Sequence, residues 1–321
     1  MLRWLDPLLN PMACLPSPPE VPKDSNAQTF LARLEALLQH WLKYALSGEK
    51  RSLLRGQGLD FADLREYTPG DDIRKIDWNV FARTLSPHVR EYQEEKQLTL
   101  WLALDCTGSM HFGRTRTKLQ QAIELAGLFS LMAARSSHRL GAVLIYPARS
   151  EIIPPKAGMA QVQVIADRLL SAALDQQHGK LSHDPLPKAF QQLAHVVQKH
   201  ATVIVFSDFL SFSPMWAKPL GQLSRHSNLI HVVLEDTVEK ALPAGLGLLP
   251  VLDPETGDVA CLDTSDLQAL AEYEALARVH RLQVRQQLEA MGTVIQVEAG
   301  EELSAVLLRV IRQQPRRRRA S

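Results

Sequence analysis

From residue 98 onward, short apolar runs alternate with longer segments of helical period, and no other feature restricts the fold as much. The runs are 98–104 (LTLWLAL), 139–146 (RLGAVLIY), 201–206 (ATVIVF), 229–234 (LIHVVL) and 293–297 (TVIQV), with a short edge strand expected near 151–153. Each has the length of a strand, and each is apolar at consecutive rather than alternate positions. That pattern belongs to strands covered on both faces. Helical patterns fall between them, over 117–137, 160–174, 185–199, 214–226, 265–290 and 301–313. Alternation of this kind predicts an α/β fold with a doubly wound, mostly parallel sheet. In such sheets ligands bind beyond the C-terminal ends of the strands, where the strand order reverses.

The first of these strands ends in DCTGSM, residues 105–110. Asp105, Thr107 and Ser109 offer one negative charge and two neutral oxygens, at offsets that let an extended-to-turn backbone aim all three at one point. Hard oxygen ligands of low total charge suit Mg²⁺, which keeps waters and leaves room for a partner's ligand. Gly108 relieves crowding at the bend. A second acid follows another core strand, in VIVFSDF, which places Ser207 and Asp208 after 201–206. If the two strands are neighbours, Asp105 and Asp208 face each other, and two close carboxylates require a cation or a proton between them. The competing reading is that Asp105, Thr107 and Ser109 only cap the helix that follows.

The rest of the chain sets bounds. Its 321 residues allow one large core and a smaller appended element, and a formal net charge of +1 argues against a dedicated nucleic-acid binder. Three scattered cysteines without a CxxC give neither a disulfide framework nor a zinc site, and they fit a cytoplasmic protein. No stretch reaches the roughly 18 apolar residues of a membrane span. The expected domains are a disordered, proline-rich lead at 1–25, a helix and charged element at 26–97, the α/β domain at 98–313 and a basic tail at 314–321. The looped excursion expected at 236–263 carries the turn signature DPETGD. No HExxH, GxSxG or GxxxxGK[ST] occurs, so zinc-protease, serine-hydrolase and P-loop chemistry have no motif behind them.

Residues 51–96 hold eight basic and nine acidic residues, with Trp78 and Tyr67 among them. Mixed signs and the turn TPGDD suggest a compact element in which Arg65, Arg74 and Arg83 pair with Asp63, Asp71, Asp72 or Asp77. On this reading Arg65, Asp77 and Trp78 are structural, and Trp78 is a core side chain. The other reading is a recognition surface for a protein partner.

Two resemblances rest on these residues. Asp105-Cys106-Thr107-Gly108-Ser109 resembles the first loop of the metal-ion-dependent adhesion site of von Willebrand factor A-type domains, and Asp208 matches that family's later aspartate. The family's threonine on an intermediate loop has no counterpart in GKLSHDPLPKAFQQL, where position favours Asp184, with Ser182 as the neighbouring hydroxyl. The stretch RGQGLDFADLREYTPGDDIRKIDWNVFARTLSPHVREYQEEK resembles the signature of bacterial proteins carrying domain of unknown function 58, through Arg65, Tyr67, Asp71, Asp77, Trp78 and Arg83 among others. The resemblance implies an A-type domain with a Mg²⁺ site, no enzymatic activity, and a MoxR-type AAA+ ATPase as partner in chaperone-like assembly. The rival expectation is a Mg²⁺-dependent phosphatase with Asp105 as nucleophile, in which Thr107 stands where a second acid is usual.

Overall fold

The computed structural model describes residues 26–46, 63–68, 78, 80, 81, 86–91, 97–113, 116–175, 184–210, 212–240, 242, 244–252 and 258–313. The lead at 1–25, the tail at 314–321, and Asp71, Asp77, Arg83 and Ser182 lie outside those residues. Two compact units are present, one formed by the described residues up to Leu38 with those from Leu98 onward, the other by those within Gln39–Gln97.

Helix α1 (Ala27–Leu46) begins where the Asn26 side chain accepts the backbone N–H of Thr29 at 3.0 Å. Ala27, Phe30, Leu31, Leu34 and Leu38, spaced for one helical face, are buried. The smaller unit contains strand β1 (Asp63–Glu66), antiparallel to β2 (His88–Glu91), with Arg65 opposite Val89. The Tyr67 N–H donates to the Pro87 carbonyl at 2.8 Å, closing the ladder. Trp78 departs from expectation. It is 61% exposed, and among the described residues its aromatic neighbour is the edge of Phe81, at 5.9 Å, so it does not fill a core.

In the larger unit the chain runs through β3 (Thr99–Asp105), α2 (Lys118–Arg135), β4 (Arg139–Ile145), β5 (Ser150–Ala157), α3 (Met159–Leu174), α4 (Leu186–Val196) and β6 (Thr202–Ser207). It continues through α5 (Pro214–Ser224), β7 (Asn228–Glu235), the single-turn α6 (Thr237–Lys240), β8 (Leu248–Leu252), β9 (Val259–Asp263), α7 (Leu267–Met291), β10 (Thr293–Glu298) and α8 (Leu303–Gln313). Six strands form one sheet in the order β10-β7-β6-β3-β4-β5, all neighbours parallel except β4 with β5. The chain enters at β3, winds outward to β5, then returns to β6 and winds out to β10. The order therefore reverses between β3 and β6. The doubly wound fold read from the sequence is present.

Burial on both faces explains the continuous apolar runs. Trp101 and Ala103 of β3 join Val143, Ile145, Val203 and Val205 on one face, against Leu186 and Phe190 of α4, Trp216 and Leu220 of α5, and Leu288 of α7. Leu102 and Leu104 take the opposite face, as the two-residue strand period demands. There α2 lies on the sheet, with Phe129 and Phe206 centroids 6.3 Å apart. Gly127 lets α1 approach α2: a Cβ at this position would come within 2.4 Å of Leu34 Cδ1.

Two segments differ from the sequence reading. The excursion expected as a loop contains α6 and the β8–β9 hairpin, with Leu248 opposite Asp263. The edge strand spans Ser150–Ala157 rather than three residues, and it carries Pro154 and Pro155 beside a register shift at Leu140/Ala142. Proline is tolerated there because an edge strand can leave N–H positions unused. Among the described residues no helix is long and apolar enough to cross a membrane.

Candidate metal centre

Asp105 closes β3 and Ser207 closes β6, so the two residues flank the point where the strand order reverses. The Asp105 carboxylate is buried. Its Oδ1 accepts the Thr107 backbone N–H at 3.0 Å and the Thr107 hydroxyl at 2.7 Å, and its Oδ2 accepts the Ser207 hydroxyl at 2.6 Å. Thr107 has thereby committed its only hydroxyl proton to Asp105. Ser109 Oγ lies 3.5 Å from Thr107 Oγ1. Residues Gly108–His111 form one 3-10 turn, and Thr107 makes no side-chain cap bond to it. Capping alone does not account for this loop.

Beyond β6, Phe209 adopts a left-handed backbone with φ of 53°, an uncommon and strained state for a bulky residue. Its N–H donates to Ser207 Oγ at 3.0 Å, and its buried ring sits 5.7 Å from Trp216 and 5.8 Å from His231. These contacts fix the turn that carries Asp208. Asp208 Oδ1 accepts the Leu210 N–H at 3.2 Å, and Oδ2 accepts from Lys118 Nζ at 2.7 Å.

Lys118 was not expected in the site. It is the first residue of α2, behind a capping box in which Thr117 and Gln120 exchange side-chain and backbone bonds at 3.1 and 3.2 Å. It is fully buried, and its ammonium also reaches Glu239 Oε1 of α6 at 2.5 Å and stands 5.9 Å from the Phe112 ring centre. The sequence carried a signal for this. Lys118 shares a helical stripe with Ala122, Leu125 and Phe129, all buried, and a lysine on such a stripe needs carboxylates to stay there.

The electrostatics of the cluster follow from burial. Desolvation first, then the charge of Asp208, push the Asp105 carboxyl up to about 7, against the downward pull of its bonds from Ser207 and Thr107. Burial works against the charge on Lys118, but Asp208 and Glu239 outweigh it and hold the ammonium above its ordinary range. Burial raises Glu239 as well, more than Lys118 lowers it. One ammonium is thus bonded to two carboxylates, Asp208 and Glu239, and Asp208 in turn raises Asp105.

Asp184 does not join them. Its Oδ1 accepts the Leu186 N–H at 3.0 Å and its Oδ2 accepts Trp216 Nε1 at 2.5 Å, so it ties the start of α4 to α5. Among the described residues no three His, Cys, Asp or Glu side chains gather as a ready-made ligand set. The donors present are two adjacent hydroxyls backed by carboxylates in excess of local positive charge. That set fits a hard divalent cation that keeps part of its water shell.

An uncharacterized protein of Mycobacterium tuberculosis is 27% identical over 271 residues, covering 84% of this chain and 83% of that protein. Solved structures similar to this chain include an aerotolerance-related membrane protein from Bacteroides fragilis, at 12% identity and a TM-score of 0.39, covering 68% of this chain and 100% of that one. They also include the VWA domain of SpRpn10, at 10% identity and a TM-score of 0.35, covering 66% and 95%. A family described as Protein of unknown function DUF58 matches residues 63–283, which take in both the β1–β2 element and the centre at Asp105 and Asp208. The chain belongs to the DUF58 family.

Proposed function

We propose that this chain is a non-enzymatic protein-interaction protein whose centre at the β3/β6 reversal takes a divalent cation, Mg²⁺ foremost, and with it an acidic side chain of a partner. The observation that carries this reading is that the Thr107 and Ser109 hydroxyls meet beside the Asp105 carboxylate, to which Thr107 is bonded. Thr107 and Ser109 would hold the cation, and Asp105 and Asp208 would supply the charge that retains it. When bound, the cation offers a hard, positive position to a carboxylate oxygen. Asp105 is poorly suited to act as a phosphatase nucleophile, because it is buried and accepts three hydrogen bonds across both oxygens.

The family resemblance makes a MoxR-type AAA+ ATPase the partner to test, in chaperone-like assembly or maturation. Calorimetric titration with Mg²⁺ should show binding that Asp105→Ala abolishes. Capture of the ATPase by the full chain should weaken when a chelator is added. Equal capture with and without divalent metal would remove the metal from the interaction, and hydrolysis of a generic phosphate ester lost in Asp105→Ala would favour the enzyme.

A further inference from the structure

A cation site does not call for a lysine inside it, yet Lys118 is buried at this one and bonded to one of its acids. The contact is not an accident of a mobile surface side chain. The Lys118 backbone N–H donates to Phe112 O at 3.0 Å, the capping box anchors the residue at the first position of α2, and its ammonium has two carboxylates and an aromatic ring around it. Such a side chain cannot swing into solvent without unpacking the start of the helix. Its charge therefore stays beside Asp208 whether or not a metal is present. Buried carboxylates left with no cation strongly destabilise a fold.

Resting on the reading of the centre as a cation site, we propose that Lys118 is its resident cation and sets its affinity for divalent metal. The ammonium neutralises Asp208 in the metal-free chain, so the fold does not depend on metal. The same ammonium occupies Asp208 Oδ2 and repels an incoming divalent ion, so metal binds more weakly than the oxygen ligands alone would allow. Glu239 is the other half of the device. It also bonds the ammonium, from α6, where the Glu239 backbone carbonyl accepts from Tyr273 Oη at 3.4 Å and Arg281 Nη1 at 3.3 Å of α7.

The test uses the full chain with Mn²⁺ alone as probe, at pH 8, by calorimetry and thermal denaturation. Wild type should bind Mn²⁺ in a way that Asp105→Ala removes. Lys118→Met should bind it about tenfold more tightly or better, equivalent to ~1.4 kcal/mol. Its metal-free form should melt below wild type and recover on adding Mn²⁺. The double variant Lys118→Met with Glu239→Gln preserves the charge difference between acids and bases and leaves no unpaired Glu239, so it serves if the single variant does not fold. It should also bind more tightly than wild type. Unchanged or weaker Mn²⁺ affinity in the folded variant, with Asp105-dependent binding intact in wild type, overturns the role of Lys118 and leaves the cation site standing. Absence of Asp105-dependent binding in wild type and variants alike overturns the cation site and this inference together.

Discussion

Replacing Asp105 by Asn separates what the centre costs the fold from what it does. The Asp105 carboxyl is raised from 3.8 to about 7, chiefly by burial and then by Asp208. A group raised in the folded state contributes stability that is fully present below its unfolded pKa and is lost as pH rises through the folded value. That rise corresponds to ~4 kcal/mol lost by the metal-free chain between pH 4 and pH 7, of which ~3 kcal/mol falls between pH 5 and pH 8. Asn keeps an acceptor for Thr107 but gives Ser207 an amide in place of an oxygen, at a cost of about 1–3 kcal/mol for the disturbed buried bond. In urea unfolding with chelator, Asp105→Asn should therefore gain ~3 kcal/mol on wild type between pH 5 and pH 8 and be the more stable of the two at pH 8. Saturating Mg²⁺ at 100 times its dissociation constant should add ~2.7 kcal/mol to wild type and nothing to the variant. Parallel stability of the two proteins from pH 5 to pH 8, with the same response to Mg²⁺, would refute the reasoning.

His231 is fully buried on β7 with neither ring nitrogen hydrogen-bonded, and burial lowers it to about 4 from an ordinary 6.5. A lowered base holds its stability above the unfolded value and loses it as pH falls, by ~3 kcal/mol between pH 6.5 and pH 4. His231→Phe should flatten that slope in urea midpoints, and an unchanged slope would exonerate the imidazole. Gly127→Val should destabilise by about 1–3 kcal/mol, because its Cβ would overlap Leu34; the thermal midpoint reads this, and a neutral result would mean that α1 does not pack as described. Trp78→Ala should cost under ~1 kcal/mol, as exposed residues do, while weakening capture of a partner if the β1–β2 element is a recognition surface. A loss of 3–5 kcal/mol on denaturation would restore the core role expected from the sequence.

The parts of the fold that periodicity determines were legible in advance. The apolar runs at 98–104, 201–206 and 229–234 are strands because both faces are covered, and the order of strands and helices follows from that pattern. The loop Asp105–Ser109 and its pairing with Asp208 were also legible, since both acids end neighbouring core strands. Lys118 left a signal in its apolar stripe, but its pairing with Glu239 was not legible. Their meeting depends on a contact between residues 121 positions apart, made only once α6 folds over the start of α2. The bond from Trp216 to Asp184 was not legible either, because sequence position cannot say which side chains lie within reach of a carboxylate. The exposure of Trp78 was missed for a related reason: an aromatic residue reads as core until its surroundings are known.

The two prolines of β5 bear on how this sheet meets other chains. Pro154 and Pro155 have no N–H to offer, and their carbonyls are already taken, by Gln161 Nε2 at 2.9 Å and Arg139 Nη2 at 2.9 Å. Here the edge has no N–H for a visiting backbone and its two carbonyls are already engaged, which guards against edge-to-edge aggregation. It also closes this stretch of the β5 edge to any partner that would dock by extending the sheet with a strand of its own. One that reads side chains is not barred by these prolines.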